Sequence, residues 1–563
     1  MKAVVLILMI CISLRALPVQ DVGGSLAFQG QDIIGGAAVI FKAPKRVKDI
    51  TGGAAAMMAS RRPQRTGRSS DVARNTTPDR RPPTTTTATT TTPSATASER
   101  AEAFKSQGNT YYDQGQFAQA LEAYQNALKL MPQDAEAQGA VGDTYLTLNQ
   151  LADAASAYEK TVKLQPDNAA AYSNLGYTYD KLGKVSDSIT ALRNAVRLKS
   201  DDDVAFNNLG ASLYKAGRYQ EALEAFNNAV RLNPNDADAL NNLGAVYYAL
   251  EQYERARDNF QKAVNANANS ADAHYNLGNA YYMSGRQREA AMAYRKAIEL
   301  NPNYVEARTN LGSLLISLGE LPTAIAELQQ SIRLRPGNAV AYNNLGYAYV
   351  KTGETLERNA SVQYLRQAVD AYKEALRLKP GYVKALNNLG AAYNKLGQYQ
   401  EAADVLARAT RAKPDFAEAH YNLATAFYNR NQFKEAIAEF QQAVRVKQDY
   451  AEAYNSLGTA LYKDSQFEPA IEAYKKTLAL RPANAETNNN LGTVYFRTKR
   501  YQEAAASFKE AVRIKPDYSE AQFNLALAYV ALNDKKGALD QYNRLKKLNP
   551  KLADEFFQKY MKK

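Results

Sequence analysis

From about residue 101 onward, apolar side chains recur at intervals of three and four, in runs of about 14 residues broken by short polar turns. The stretch from Asp203 to Asp236 shows the pattern. Phe206, Leu209 and Leu213 mark one run, and Ala222, Phe226 and Ala229 mark the next. This spacing predicts two amphipathic helices. Gly217 between the runs suits a helix end, and Pro234 beyond the second blocks its continuation.

The unit then repeats. Gly108, Gly142, Gly176, Gly210, Gly244, Gly278, Gly312 and Gly346 stand 34 apart, the next step of 44 reaches Gly390, and the period resumes through Ala424, Gly458, Gly492 and Ala526. Thirteen copies over 101–552 predict a solenoid, in which each unit buries its apolar face against its neighbours. Counting the glycine as position 8, Gly210 and Ala222 allow close approach of the two helices beside Phe226, so Gly210→Leu is expected to overpack the interior.

Leu491, Gly492, Tyr495, Ala504, Phe508, Ala511 and Pro516 fall at positions 7, 8, 11, 20, 24, 27 and 32 of residues 485–518. With these residues the unit resembles the tetratricopeptide repeat (TPR) family. Asn488 at the bulky position 4, and Ser200, Ala268 and Gln448 in place of the final proline, are its departures. The resemblance implies an all-α fold, a right-handed superhelical solenoid of about thirteen helix-turn-helix units. It also implies a ligand groove lined by the first helices.

The eighth copy carries ten extra residues near 354–367, and Leu356, Val362 and Leu365 keep a helical rhythm into Val369 and Tyr372. The pattern predicts a second helix lengthened by two or three turns; a loop is the alternative. Phe556, Phe557 and Tyr560 on one face of 553–563 predict a capping helix.

Position 6 holds asparagine in ten repeats: Asn174, Asn208, Asn242, Asn276, Asn310, Asn344, Asn388, Asn422, Asn490 and Asn524. A carboxamide both donates and accepts, so a row of them can hold an extended chain by its backbone. The row is similar to the asparagine ladder in the superhelix of the O-linked N-acetylglucosamine transferases. That resemblance implies sequence-tolerant peptide binding for these ten residues; asparagines that merely face water are the second reading. Tyr214, Tyr248, Tyr282, Tyr428 and Tyr462 at position 12 join the candidate peptide-binding set, with partial burial as their alternative. Carboxylate-clamp binding of chaperone tails is excluded, because only Lys384 supplies a base at position 2.

Charge changes the picture little. The chain is +13, yet residues 1–100 hold 14 Lys/Arg against 6 Asp/Glu, so most of the excess lies ahead of the repeats and no nucleic-acid partner is expected. Lys2 and the apolar run Ala3–Leu14 read as a signal peptide or membrane anchor over 1–27. Residues 28–60 are a short segment of uncertain role. Residues 61–98, rich in Arg, Pro and Thr, read as a disordered linker. An exported or envelope-associated protein is expected, with a cytoplasmic one as alternative.

No enzyme is expected. His274 and His420 both occupy packing position 4, the single cysteine is Cys11, and no phosphate loop or metal motif occurs, so neither cofactor nor metal is implied. The expected function is a non-catalytic scaffold binding a protein or peptide in the groove. A substrate-presenting subunit of a glycosyltransferase and a self-associating array (a homo-oligomer) are the alternatives.

Overall fold

The computed structural model describes residues 96–561. Among them the chain is all-α, a solenoid of paired antiparallel helices. First helices run 13 residues, as in Asp203–Lys215, and second helices 14, as in Tyr219–Leu232. The repeats fall into two compact units, divided between Pro302 and Asn303. Repeats one to six form the N-terminal unit, and repeats seven to thirteen the C-terminal unit. The expected signal segment (1–27) and nearly all of the expected linker lie outside the described residues. Among the described residues, no helix is long and apolar enough to cross a membrane.

The interior of each repeat is built as its small residues require. A Cβ on Gly210 would meet the Phe226 ring at 2.7 Å, and one on Gly492 would meet Phe508 at the same distance. Alanines fill the remaining close contacts: Ala222, Ala229, Ala256 and Ala263 are fully buried. The turn between the paired helices passes through a left-handed residue. It is glycine at Gly217 (φ 72°) but asparagine at Asn431 (φ 59°), a residue type that tolerates this region.

Where a bulky ring at position 24 bears a hydroxyl, position 9 of the same repeat answers it. Tyr124 donates to Asn109, Tyr158 to Asp143 and Tyr294 to Asn279, each at 2.7 Å. Where the ring is Phe226 or Phe260, position 9 is Ala211 or Ala245. Tyr372 of repeat eight departs from this rule. Its counterpart is Tyr347, and its hydroxyl is buried with no hydrogen-bond partner. Burial pushes that phenol far above its ordinary range.

Repeat eight is longer at both helices. Its second helix, Arg358–Leu378, has 21 residues where repeat seven has 14, a gain of about two turns. Its first helix, Ala339–Glu354, gains three residues over the usual 13. The lengthened helices pack on each other through Tyr349 and Tyr364, 6.0 Å apart, and Glu354 in the added turn of the first binds both Lys351 (2.9 Å) and Lys395 of repeat nine (2.7 Å).

Both ends differ from the expected boundaries. The first helix begins at Ala97 rather than near residue 101, because Thr96 and Glu99 close a capping box. The sequence signal is Thr-x-x-Glu, inside what reads by composition as linker. At the other end a helix spans Pro550–Phe556 and passes into a π-helical turn, Phe557–Met561. Phe556 is fully buried against Phe523, ring centroids 5.7 Å apart, which closes the last repeat.

Candidate interaction surface

The asparagine row does not line an open groove. Asn174, Asn208, Asn242, Asn276, Asn310, Asn344, Asn388 and Asn422 have no exposed surface, and Asn524 keeps 8%. Their amides join one repeat to the next. The Nδ2 of Asn242 donates to Asn207 Oδ1 (3.1 Å), Asn276 to Asn241 (2.8 Å), Asn388 to Asn343 (3.1 Å), Asn422 to Asn387 (2.9 Å) and Asn524 to Asn489 (2.9 Å). In these five repeats position 6 thus reaches back to position 5 of the repeat before it. Asn174 uses Asp143 instead, at 3.2 Å. These are buried bonds inside the array, and breaking one leaves an unmatched polar group. The expectation that these side chains face a ligand is corrected accordingly.

At Asn490 the rung is missing. Asn490 is half-buried, and its Nδ2 meets no acceptor. The acceptor that register assigns to it, Asn455 Oδ1, is already taken by the Thr487 hydroxyl at 3.0 Å.

The position-12 tyrosines are also largely structural. Tyr248 is 8% exposed, while Tyr214, Tyr282, Tyr428 and Tyr462 are half-buried. Four of the five pack on the aromatic residue that opens the second helix: Tyr214 on Tyr219 (5.3 Å), Tyr248 on Tyr253 (5.2 Å), Tyr428 on Phe433 (5.5 Å) and Tyr462 on Phe467 (6.0 Å). Burial pushes the Tyr428 phenol up to about 12. Repeat six opens its second helix with Gln287, so Tyr282 has no such ring.

The positions that do face outward are others. Position 13 is exposed at Lys181, Lys215, Lys395 and Arg497. Lys181 lies 5.5 Å over the Tyr177 ring, and Lys215 holds the buried Asp180 carboxylate of the preceding repeat at 2.6 Å. Position 2 is half-buried at Asp238, Glu306, Glu452 and Glu520. Burial raises the Glu520 carboxyl, against a hydrogen bond from Asn489 that lowers it.

The histidines sit where their packing position places them. His420 is 8% exposed; its Nδ1 lies 2.6 Å from Glu439 Oε2 and its Nε2 lies 3.0 Å from the Pro414 carbonyl. Both partners are acceptors, so this geometry calls for hydrogens on both ring nitrogens. Burial lowers its pKa, but the Glu439 and Pro414 bonds outweigh that, and the net shift is upward. His274 has only the Ala268 carbonyl (3.0 Å), and burial, the largest influence, holds its pKa down. Among the described residues, no group of His, Cys, Asp and Glu could hold a metal ion.

Comparison with known families agrees with the repeat. Tetratricopeptide-repeat profiles match residues 271–304, 293–326, 455–519 and 491–553. A further TPR profile matches 312–353, 365–397, 390–429 and 424–465, leaving the insertion of repeat eight uncovered. The profile described as the cilia and flagella-associated protein 70 C-terminal domain matches 76–280. No curated protein matches the chain. Among solved structures, similarity extends to the anaphase-promoting complex hetero-tetramer Cut9–Hcn1, at 14% identity over 82% of this chain and 96% of that one, TM-score 0.38. It extends also to YrrB, described as a TPR protein with an unusual peptide-binding site, at 26% identity over 35% of this chain and 97% of that one, TM-score 0.31. With both scores below 0.5, the functional argument rests on the repeats. Such repeats generally serve as non-catalytic interaction scaffolds with protein or peptide partners. Repeat spacing, paired helices and matching profiles converge, and the chain is a member of the tetratricopeptide repeat family.

Proposed function

We propose that this protein is a non-catalytic scaffold that holds extended polypeptide along its first helices. The supporting observation is the recurrence of exposed position-13 cations (Lys181, Lys215, Lys395 and Arg497) and half-buried position-2 carboxylates at the two ends of the first helices. Packed helices stand roughly 8–10 Å apart, and an extended chain advances about 3.3–3.6 Å per residue. One repeat therefore corresponds to about three residues of ligand, which suits an extended segment. With the asparagines engaged between repeats, partner contacts fall to the ends of the first helices rather than to position 6.

Photoreactive residues at Lys181 and Arg497, on first helices, test this against the same probe at the exposed second-helix sites Met292 and Leu539. Crosslinks to partner polypeptide confined to the first pair are expected. Crosslinks only from the second pair would sink the proposal. The site of action is proposed to be the cell envelope, on Lys2 and the apolar run that follows it, and N-terminal sequencing of the fractionated protein tests that.

A further inference from the structure

Position 29, in the last turn of each second helix, and position 31, directly after that helix, lie along one edge of the C-terminal unit. In repeats seven to twelve, positions 29–33 hold eleven Lys/Arg and three Asp/Glu. The same positions of repeats one to six hold five and three. Basic charge is thus concentrated at the second-helix ends of one unit.

Towards both ends of this edge the cations are neutralised. Arg335 meets Glu306 at 2.6 Å, Arg481 meets Glu452 at 2.6 Å, and Arg513 meets Glu510 at 2.7 Å. Four cations of repeats eight to ten are not. Lys379, Arg411, Lys413 and Arg445 are exposed and have no ion-pair partner among the described residues. They lie between Arg377, held by Glu374 at 2.8 Å, and Lys447, 3.9 Å from Glu418. Arg408, one turn before Arg411, reaches the Pro380 carbonyl at 3.5 Å and so draws the edge of repeat nine against that of repeat eight. Asp415 and Asp449, exposed at position 33, leave the stretch net positive.

Two further features select the ligand. Lys413 and Lys447 stand 5.7 and 5.0 Å over Phe416 and Tyr450, rings that are 6% and 7% exposed and so cannot stack on a base. Val446 is 39% exposed between Arg445 and Lys447, and Ala412 is exposed between Arg411 and Lys413. An aliphatic side chain bracketed by cations suits the boundary between headgroups and acyl chains. There the apolar part is buried while the charged groups stay among the phosphates.

Resting on the envelope reading above, we propose that this edge of repeats eight to ten docks on the headgroups of an anionic lipid bilayer. Lys379, Arg411, Lys413 and Arg445 supply the attraction, each strengthening binding about fivefold. Val446 enters the boundary layer. The position-13 ends of the first helices, at the far end of each helix pair, stay open to polypeptide.

Residues 1–100 carry positive charge of their own, so the readout belongs on the edge itself. In a Cys11→Ser background of the full chain, Val446→Cys and Met292→Cys are each labelled with an environment-sensitive fluorophore. Vesicles of phosphatidylcholine with phosphatidylglycerol should move the Val446→Cys emission to shorter wavelength. They should leave that of Met292→Cys, 67% exposed on a second helix of the other unit, where it was. Added salt should reverse the shift. Arg411→Gln with Lys413→Gln removes two exposed charges that hold no ion pair, so the fold is kept. The vesicle concentration at half-shift should then rise about fivefold for each charge removed. The inference is overturned if the emission stays fixed, if phosphatidylcholine alone shifts it, or if the double variant responds as the parent does. It is equally overturned if single-stranded DNA or polyglutamate produces the shift without vesicles. A response at Val446→Cys with the protein fractionating away from the envelope fells the envelope reading alone. No response from a protein found in the envelope fells this inference alone.

Discussion

The two units close the same seam by different means. In the N-terminal unit the residue before every first helix caps it with a side chain: Thr96, Asp134, Asn168, Asp202, Asp236 and Ser270 each accept from backbone N–H groups. In the C-terminal unit only Asn338 and Asn484 do so, and Tyr304, Tyr382, Phe416, Tyr450 and Tyr518 make no such bond. Four of those rings instead carry the lysine at position 31, at 5.0–5.7 Å. Charge divides likewise: residues 101–302 hold 19 Lys/Arg and 24 Asp/Glu, residues 303–563 hold 37 and 27. A polar cap and an apolar lid are thus interchangeable solutions at one position, and the choice sets the charge of the surface above it.

The largest expected effect separates the two solutions. Tyr450→Ala removes a ring that is 7% exposed and 5.2 Å from Tyr421, and should cost about 3 kcal/mol. Asp236→Ala, at the same repeat position in the other unit, should cost ~1 kcal/mol. Denaturant unfolding with hydrogen exchange resolved by unit measures both, and equal losses would erase the contrast. The ladder is common to both units, so Asn276→Ala and Asn422→Ala should each cost about 1–3 kcal/mol by leaving a buried partner unmatched. A large inequality would mean that the units differ beyond their caps.

A smaller effect concerns hydroxyl partners. Tyr294→Phe, which strands Asn279, should lose about 1 kcal/mol, whereas Tyr372→Phe removes an unpaired buried hydroxyl and should lose none. Thermal melts of the two variants compare them directly.

The histidines should give opposite pH slopes. The pKa of His420 is raised, so its contribution is complete below the unfolded value of about 6.5 and is lost as pH climbs through the folded value. The pKa of His274 is lowered, so its contribution is present above about 6.5 and is lost as pH falls through the folded value. His420→Gln and His274→Gln should flatten these slopes in the C-terminal and N-terminal units respectively. Slopes of the same sign in the parent would contradict the assignment.

Much of this was readable from residues alone. The 34-residue period, Gly210 beside Phe226 and the helical rhythm of 358–378 follow from side-chain size and spacing. The tyrosine rule was readable too, since a phenol at position 24 next to Asn109, Asp143 or Asn279 announces its own partner. The destination of the asparagines was not. Position 6 lies on the helix between the outward face and the neighbouring repeat, and only the approach of the next first helix decides which side it serves. The paired Asn207-Asn208, Asn241-Asn242 and Asn387-Asn388 were the available clue, a donor and an acceptor on adjacent residues. Position 12 failed similarly, because the ring covering Tyr214 arrives from Tyr219 across a left-handed turn.

The gap at Asn490 bears on how the chain comes apart. Asn242, Asn276, Asn388 and Asn422 each stitch a repeat to its predecessor, and Asn524 fastens repeat thirteen to repeat twelve. Between repeats eleven and twelve the Thr487 hydroxyl makes the bond to Asn455 in place of an amide and leaves the Asn490 Nδ2 unmatched, so that seam carries the cost of one orphaned donor. Under mild denaturant the last two repeats should peel away together, taking the terminal Phe556 plug with them, before the helices upstream of Asn455 release their amide hydrogens.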